Sequence, residues 1–216
     1  MFKNVFFDLD GTLMDTLWDI TDALNDALNT NGIKSSFTYE DTKKMIGRGT
    51  DHLLNMALEA MGRKDAFDCV RATYLKNYKD YQTRKTKPFK GMEEAIKALK
   101  EKGVRLYVCT NKPNELAKII VEYVMPGIFD GVRGVGANEP VKPNPYQVDE
   151  FIKNDGLNRK ECIFVGDSKP DLETARNARL PLCLVKWGYG FYDEDWVNEA
   201  EYVATTPKEM AEIIIK

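Results

Sequence analysis

The 216-residue chain carries 31 Lys and Arg against 34 Asp and Glu, a formal net charge of −3, with 43% hydrophobic and 30% charged residues. That balance supports a globular core and offers no broad basic face for nucleic acid or an acidic membrane, so an anionic ligand must be held by a local arrangement. The four cysteines, Cys69, Cys109, Cys162 and Cys183, form no CxxC pair. With no apolar run of membrane-spanning length and no leader-like start, they read as reduced thiols of a cytoplasmic, soluble protein.

The first predicted element is a strand over residues 4–10, NVFFDLD, in which Asp8 and Asp10 follow an apolar run. Side chains alternate along a strand, so both carboxylates point the same way if the extended run continues. Residues 17–32, LWDITDALNDALNTNG, place Leu17, Ile20, Leu24, Ala27 and Leu28 at helical spacing and stop at Gly32. Further helices follow over 39–47, 49–62 and 66–82, with Thr38 as a cap for the first of them, and a polar return linker, KTKPFKG, over 85–91. Tyr74, Tyr78 and Tyr81 fall at i, i+4 and i+7 and read as packing residues.

After the linker, helical and strand-like patterns alternate. GMEEAIKALKEKG (91–103) is amphipathic and ends in Gly103, and strand-like runs cover 104–110, 129–135, 162–167, 180–187 and 201–206. Residues 206–216 read as a helix covering the sheet. The βα order implies an α/β fold, a doubly wound, mainly parallel Rossmann-like sheet. Residues 1–14 and 88–216 would form this core domain, and residues 15–87 an inserted all-helical cap subdomain.

In open α/β sheets ligands bind beyond the carboxyl ends of the strands. Those positions hold Asp8 and Asp10, Thr110 and Asn111, and Asp167 with Asp171, while Lys142 precedes the strand at 162 and can reach the same crevice. Carboxylates gathered around one lysine oppose folding unless a cation neutralises them, and oxygen-only ligands point to Mg²⁺ rather than zinc.

The segments DLDGTLMDT (8–16), VCTNK (108–112), VKPNP (141–145) and VGDSKPDLETA (165–175), in that order, resemble the four motifs of the haloacid dehalogenase-like phosphohydrolase superfamily. The helical insertion resembles the cap of its phosphoglycolate phosphatase and β-phosphoglucomutase branch. The resemblance implies that Asp8 is a nucleophile forming an aspartyl-phosphate and that Asp10 is the general acid and base. Gly11 and Thr12 would offer backbone N–H groups to the phosphoryl oxygens, and Thr110 and Asn111 neutral donors. Lys142 would clamp the phosphoryl group and the nucleophile. Asp8, Asp167 and the backbone carbonyl of Asp10 would hold Mg²⁺, with Asp171 orienting a metal-bound water or Lys142. A glycine is common in the family where Arg179 stands here.

The leaving group would be read by the cap, whose MIGRGTDHLL segment (45–54) sets Arg48 between Gly47 and Gly49, suited to a small anionic substrate. This loop and VKWGYG (185–190) resemble the phosphoglycolate phosphatase branch more than the mutases. His52 reads as a partly exposed surface residue and YGFYDEDW (189–196) as a surface loop. The expected function is a Mg²⁺-dependent phosphatase of small phosphorylated metabolites, phosphoglycolate foremost, acting as a monomer or weak homodimer. A sugar phosphomutase, or a noncatalytic phospho-acceptor or metabolite sensor, are the alternatives.

Overall fold

The structure is a computed structural model that describes residues 1–192 and 195–216. It divides into two compact units, Met1–Asp15 with Pro88–Lys216, and Thr16–Lys87.

The first unit is built on β1 (Asn4–Phe7), four residues all buried. A strand covered on both faces has no place for polar alternation, which is why Val-Phe-Phe occupies it. Two-residue strands β2 (Met14–Asp15) and β3 (Lys87–Pro88) lie where the chain leaves and re-enters this unit.

The second unit carries α1 (Leu17–Thr30), α2 (Tyr39–Lys43), α3 (Thr50–Ala60) and α4 (Phe67–Tyr81). Thr38 caps α2 in a reciprocal box, its hydroxyl accepting the Asp41 N–H at 3.2 Å while the Asp41 carboxylate accepts the Thr38 N–H at 3.0 Å. Tyr74 and Tyr78 are buried and stacked, with centroids 5.2 Å apart, as packing residues should be. Asp19, fully buried, accepts the N–H groups of Lys85 and Thr86 and the Thr86 hydroxyl at 2.9–3.0 Å, which ties the start of α1 to the returning segment.

In the first unit the chain continues through α5 (Met92–Glu101), β4 (Arg105–Pro113), α6 (Asn114–Val124), β5 (Gly131–Val135), α7 (Tyr146–Asn154), β6 (Cys162–Gly166), α8 (Lys169–Asn177), β7 (Leu182–Val185), β8 (Tyr202–Ala204) and α9 (Pro207–Ile215). The six-stranded sheet has the order β5-β4-β1-β6-β7-β8, and all its pairings are parallel. β1 lies in register with both neighbours, Phe7 opposite Val108 of β4 and Val165 of β6.

Period-two alternation then sorts the core. Val5, Phe7, Val108, Ile163 and Val165 pack beneath α5, α6 and α9, and Phe6, Tyr107, Cys109 and Phe164 pack beneath α7 and α8. The fold is doubly wound, with strand order reversing across β1, so a ligand crevice opens at its carboxyl end. Cys109, Cys162 and Cys183 serve this core as buried free thiols, while Cys69 is free and exposed.

Candidate active site

β1 ends at Phe7, three residues sooner than the sequence pattern suggested. Asp8 still donates its N–H to Val165 O at 2.9 Å, but the chain then turns tightly, with the N–H groups of Thr12, Leu13 and Met14 all reaching Leu9 O at 3.1–3.3 Å. Asp10 therefore lies within a turn just past the strand end, and the two aspartates are not aligned along a strand. The Gly11 N–H goes to Met14 O at 3.0 Å, so the two amides expected to face a phosphoryl group instead close this turn. Thr12 contributes its side chain, donating from Oγ1 to Asp167 Oδ1 at 3.1 Å.

The centre of the site is Lys142, 4% exposed, whose Nζ lies 2.7 Å from Asp8 Oδ1 and 2.7 Å from Asp171 Oδ1. Asn111 sets the lysine in place: its Oδ1 accepts the Lys142 N–H at 2.7 Å and its Nδ2 reaches the Lys142 carbonyl at 3.4 Å. Expected as a donor to substrate, Asn111 is thus engaged with the Lys142 backbone, and Lys142 is followed by a cis bond to Pro143. Thr110, 1% exposed, accepts the Lys112 N–H on its hydroxyl at 3.2 Å, and its carbonyl accepts Gln147 Nε2 at 3.0 Å.

Asp171 opens α8 with both oxygens engaged. Oδ1 meets Lys142, and Oδ2 accepts the Ser168 N–H at 3.0 Å and hydroxyl at 2.5 Å. Asp167, 2% exposed, accepts Thr12 on Oδ1 and the Tyr189 N–H on Oδ2 at 2.7 Å. Asp8, Asp167 and Asp171 each place an oxygen within 4.8 Å of the other two.

Burial raises the Asp8 carboxyl from 3.8 to about 7, against the pull of Lys142, and raises Asp167 to about 8 with help from the charges of Asp171 and Asp8. Burial also opposes the Lys142 ammonium, but the charges of Asp171 and Asp8 outweigh it and keep the lysine protonated well above its ordinary value. One lysine among three buried carboxylates leaves excess negative charge, and the donors are hard oxygens, so the residues fit a divalent cation. The Asp10 carboxylate lies outside this cluster and pairs with Lys112, Nζ to Oδ1 3.1 Å.

Two contributors lay in quoted motifs with no role assigned to them. Lys112 stood in VCTNK without a role, and the loop after β7, expected at the surface, wraps Asp167. Tyr189 is 6% exposed, and glycines flank it because a β-carbon at Gly188 would collide with the Gly11 carbonyl and the Asp167 side chain, and one at Gly190 with the Asp167 carbonyl. Tyr189 Oη also donates to Asp15 Oδ1 at 2.8 Å, and Trp187 Nε1 donates to Thr12 O at 3.0 Å. Trp196, from the same predicted surface loop, is buried, and residues 193–194 of that loop lie outside the described residues.

Arg48 stands on the helical unit, exposed between Gly47 and Gly49, both at positive φ. His52, partly buried one turn into α3, is held below its ordinary pKa by burial and by the Arg48 charge. No helix among the described residues is long and apolar enough to cross a membrane.

Comparison with known proteins supplies the family. The pattern of the haloacid dehalogenase-like hydrolases matches residues 5–185. A phosphoglycolate phosphatase of Aquifex aeolicus is 33% identical over 186 residues, 86% of this chain and 85% of that protein. Another phosphoglycolate phosphatase, from Rhodospirillum rubrum, is 32% identical over 197 residues, 87% of this chain and 80% of that protein. A crystal structure from Lactobacillus delbrueckii subsp. bulgaricus superimposes with a TM-score of 0.90 at 33% identity, covering 99% of this chain and 98% of that one. With the aspartates at the carboxyl end of β1, the buried lysine and the acidic start of α8 all in place, the chain belongs to the haloacid dehalogenase-like hydrolase family.

Proposed function

We infer that this phosphatase hydrolyses a small phosphomonoester in two displacements on Asp8, with phosphoglycolate as the leading substrate. The observation that carries the reading is the Lys142 ammonium held between Asp8 and Asp171 at 2.7 Å from each, at the carboxyl end of the central strand.

Asp8 attacks phosphorus in line with the ester oxygen, forming an aspartyl-phosphate as the P–O ester bond breaks. Asp10 gives its proton to the departing alkoxide and then takes one from the water that attacks the aspartyl-phosphate. Lys142 offsets the charge of Asp8 and of the phosphoryl oxygens, while Asp171 and Asn111 hold the lysine where both can be reached. Asp8 and Asp167, with the Asp10 backbone carbonyl, would hold Mg²⁺, which neutralises charge on the phosphoryl group and keeps Asp8 ionised. Arg48, flanked by glycines, supplies a cation for a second anionic group on the substrate, which phosphoglycolate has in its carboxylate. A cytoplasmic setting agrees with four unpaired cysteines.

The test is phosphate release from phosphoglycolate, sugar monophosphates, nucleotides and pyrophosphate, with Mg²⁺ and with chelator. Metal-dependent release concentrated on phosphoglycolate is the expected result. Isomerised sugar phosphate without free phosphate would replace it with a mutase.

A further inference from the structure

Lys112 has no part in the chemistry so far, yet the fold goes to some length to place it. Along β4 the pairing with β5 slips: Cys109 lies opposite Arg133 and Pro113 opposite Val135, so Thr110, Asn111 and Lys112 fill the space of a single partner residue. Such a bulge re-aims side chains at a strand end. Here it turns Asn111 onto the Lys142 backbone and Lys112 onto Asp10.

The bulge is braced from β5. A β-carbon at Gly134 would collide with the Lys112 carbonyl, and the Gly134 N–H is taken by Asn114 Oδ1 at 3.1 Å. The resulting Lys112 side chain is 4% exposed, and its Nζ lies 3.1 Å from Asp10 Oδ1, whose own side chain is 21% exposed. An ammonium is costly to bury at a surface cleft without a task or a partner, and the carboxylate it meets is the one read above as the proton donor.

We propose that Lys112 is the positioning residue for Asp10, holding its carboxyl group toward the leaving group. This rests on Asp10 as the acid of the reaction. The lysine holds the carboxyl group by Oδ1, and the group so oriented carries the proton. That proton passes to the ester oxygen as the bond from phosphorus to that oxygen breaks and the Asp8–phosphorus bond forms, and the carboxylate left on Asp10 keeps Lys112 as its counter-ion. Lys112 thus acts on the leaving group and not on the phosphoryl group, which Lys142 serves.

The distinction is measurable through the leaving group, because an alkoxide needs a proton in the transition state and a nitrophenolate does not. Expected for Lys112→Met is a fall in kcat/KM of about 30-fold on an alkyl phosphate such as phosphoglycolate and less than about threefold on p-nitrophenyl phosphate. Lys112→Arg, which retains the cation, should restore the alkyl to aryl ratio to within about threefold of wild type. An equal fall on both esters, or none on either, would overturn the proposal. Should the Met variant fail to fold, Lys112→Gln carries the same comparison. If the wild-type enzyme prefers another alkyl ester to phosphoglycolate, that ester is used, so an error in the substrate leaves the test of Lys112 intact.

Discussion

Lys142 Nζ lies 2.7 Å from Asp171 Oδ1, and neither side chain is more than 3% exposed. Asp171 Oδ2 is occupied by the N–H and hydroxyl of Ser168, so this aspartate joins the lysine to the first turn of α8.

Removing its charge should therefore cost stability before it costs metal binding. Asp171→Asn keeps an acceptor for Ser168 and breaks the buried ion pair, with an expected loss of about 3 kcal/mol. Asp171→Ala also removes the acceptor at the helix start and should lose about 1 kcal/mol more. Urea midpoints at unchanged slope measure both. The Asn variant should still be stabilised by Mg²⁺, and loss of that response would make Asp171 a direct ligand.

Arg179 follows α8 at φ 56°, in the left-handed region. The chain ends the helix there in a Schellman turn, the Arg179 N–H reaching Arg176 O at 2.9 Å and the Leu180 N–H reaching Ala175 O at 2.8 Å. This geometry accounts for the glycine common at the corresponding family position. A left-handed residue with a β-carbon costs about 1 kcal/mol, partly offset by the greater freedom glycine has when unfolded. Arg179→Gly should raise Tm by about 1–2 °C with unchanged kinetics, since the side chain is exposed, whereas Arg179→Ala should not. Calorimetry of the three proteins decides it.

Arg48→Ala should separate recognition of the leaving group from chemistry. A charge-assisted contact is worth about 1.5–3 kcal/mol, so KM for phosphoglycolate should rise by about 10-fold or more, while p-nitrophenyl phosphate turnover stays within about twofold. Equal losses on the two substrates would remove Arg48 from substrate recognition.

The fold was legible because period-two apolar runs alternate with helical ones, and because Asp8, Asp167 and Asp171 sit at strand and helix ends, with Lys142 in the loop before α7, where topology brings them together. Local hydrogen bonding was not. Nothing in a strand pattern says that Gly11 and Thr12 give their N–H groups to Met14 and Leu9 or that Asn111 grips the Lys142 backbone, since these depend on a turn and a bulge that break the period. The tyrosine loop misled for a related reason. Its composition looks solvent-facing, yet Gly188 and Gly190 let the Tyr189 N–H meet Asp167 Oδ2 at 2.7 Å.

The electrostatics of the cluster lead to a last prediction, on pH and metal together. Burial lifts Asp8 from 3.8 to about 7 and Asp167 to about 8, so the folded metal-free chain retains protons there that the unfolded chain has already released. Their contribution to stability is complete below the unfolded value near 4 and is lost as pH rises through about 7 to 8, with a slope of at most about 1.4 kcal/mol per pH unit for each proton. A divalent cation takes the place of those protons and binds the ionised carboxylates, so its stabilisation must grow over the same window. Melting curves with chelator should show Tm falling from about pH 6 to about pH 8 relative to curves with saturating Mg²⁺. The gap should widen with pH and shrink in Asp167→Asn, which has one carboxylate fewer to ionise. A Mg²⁺ effect equal at both ends of the range, or unaltered in that variant, would place the cation elsewhere than among Asp8, Asp167 and their neighbours.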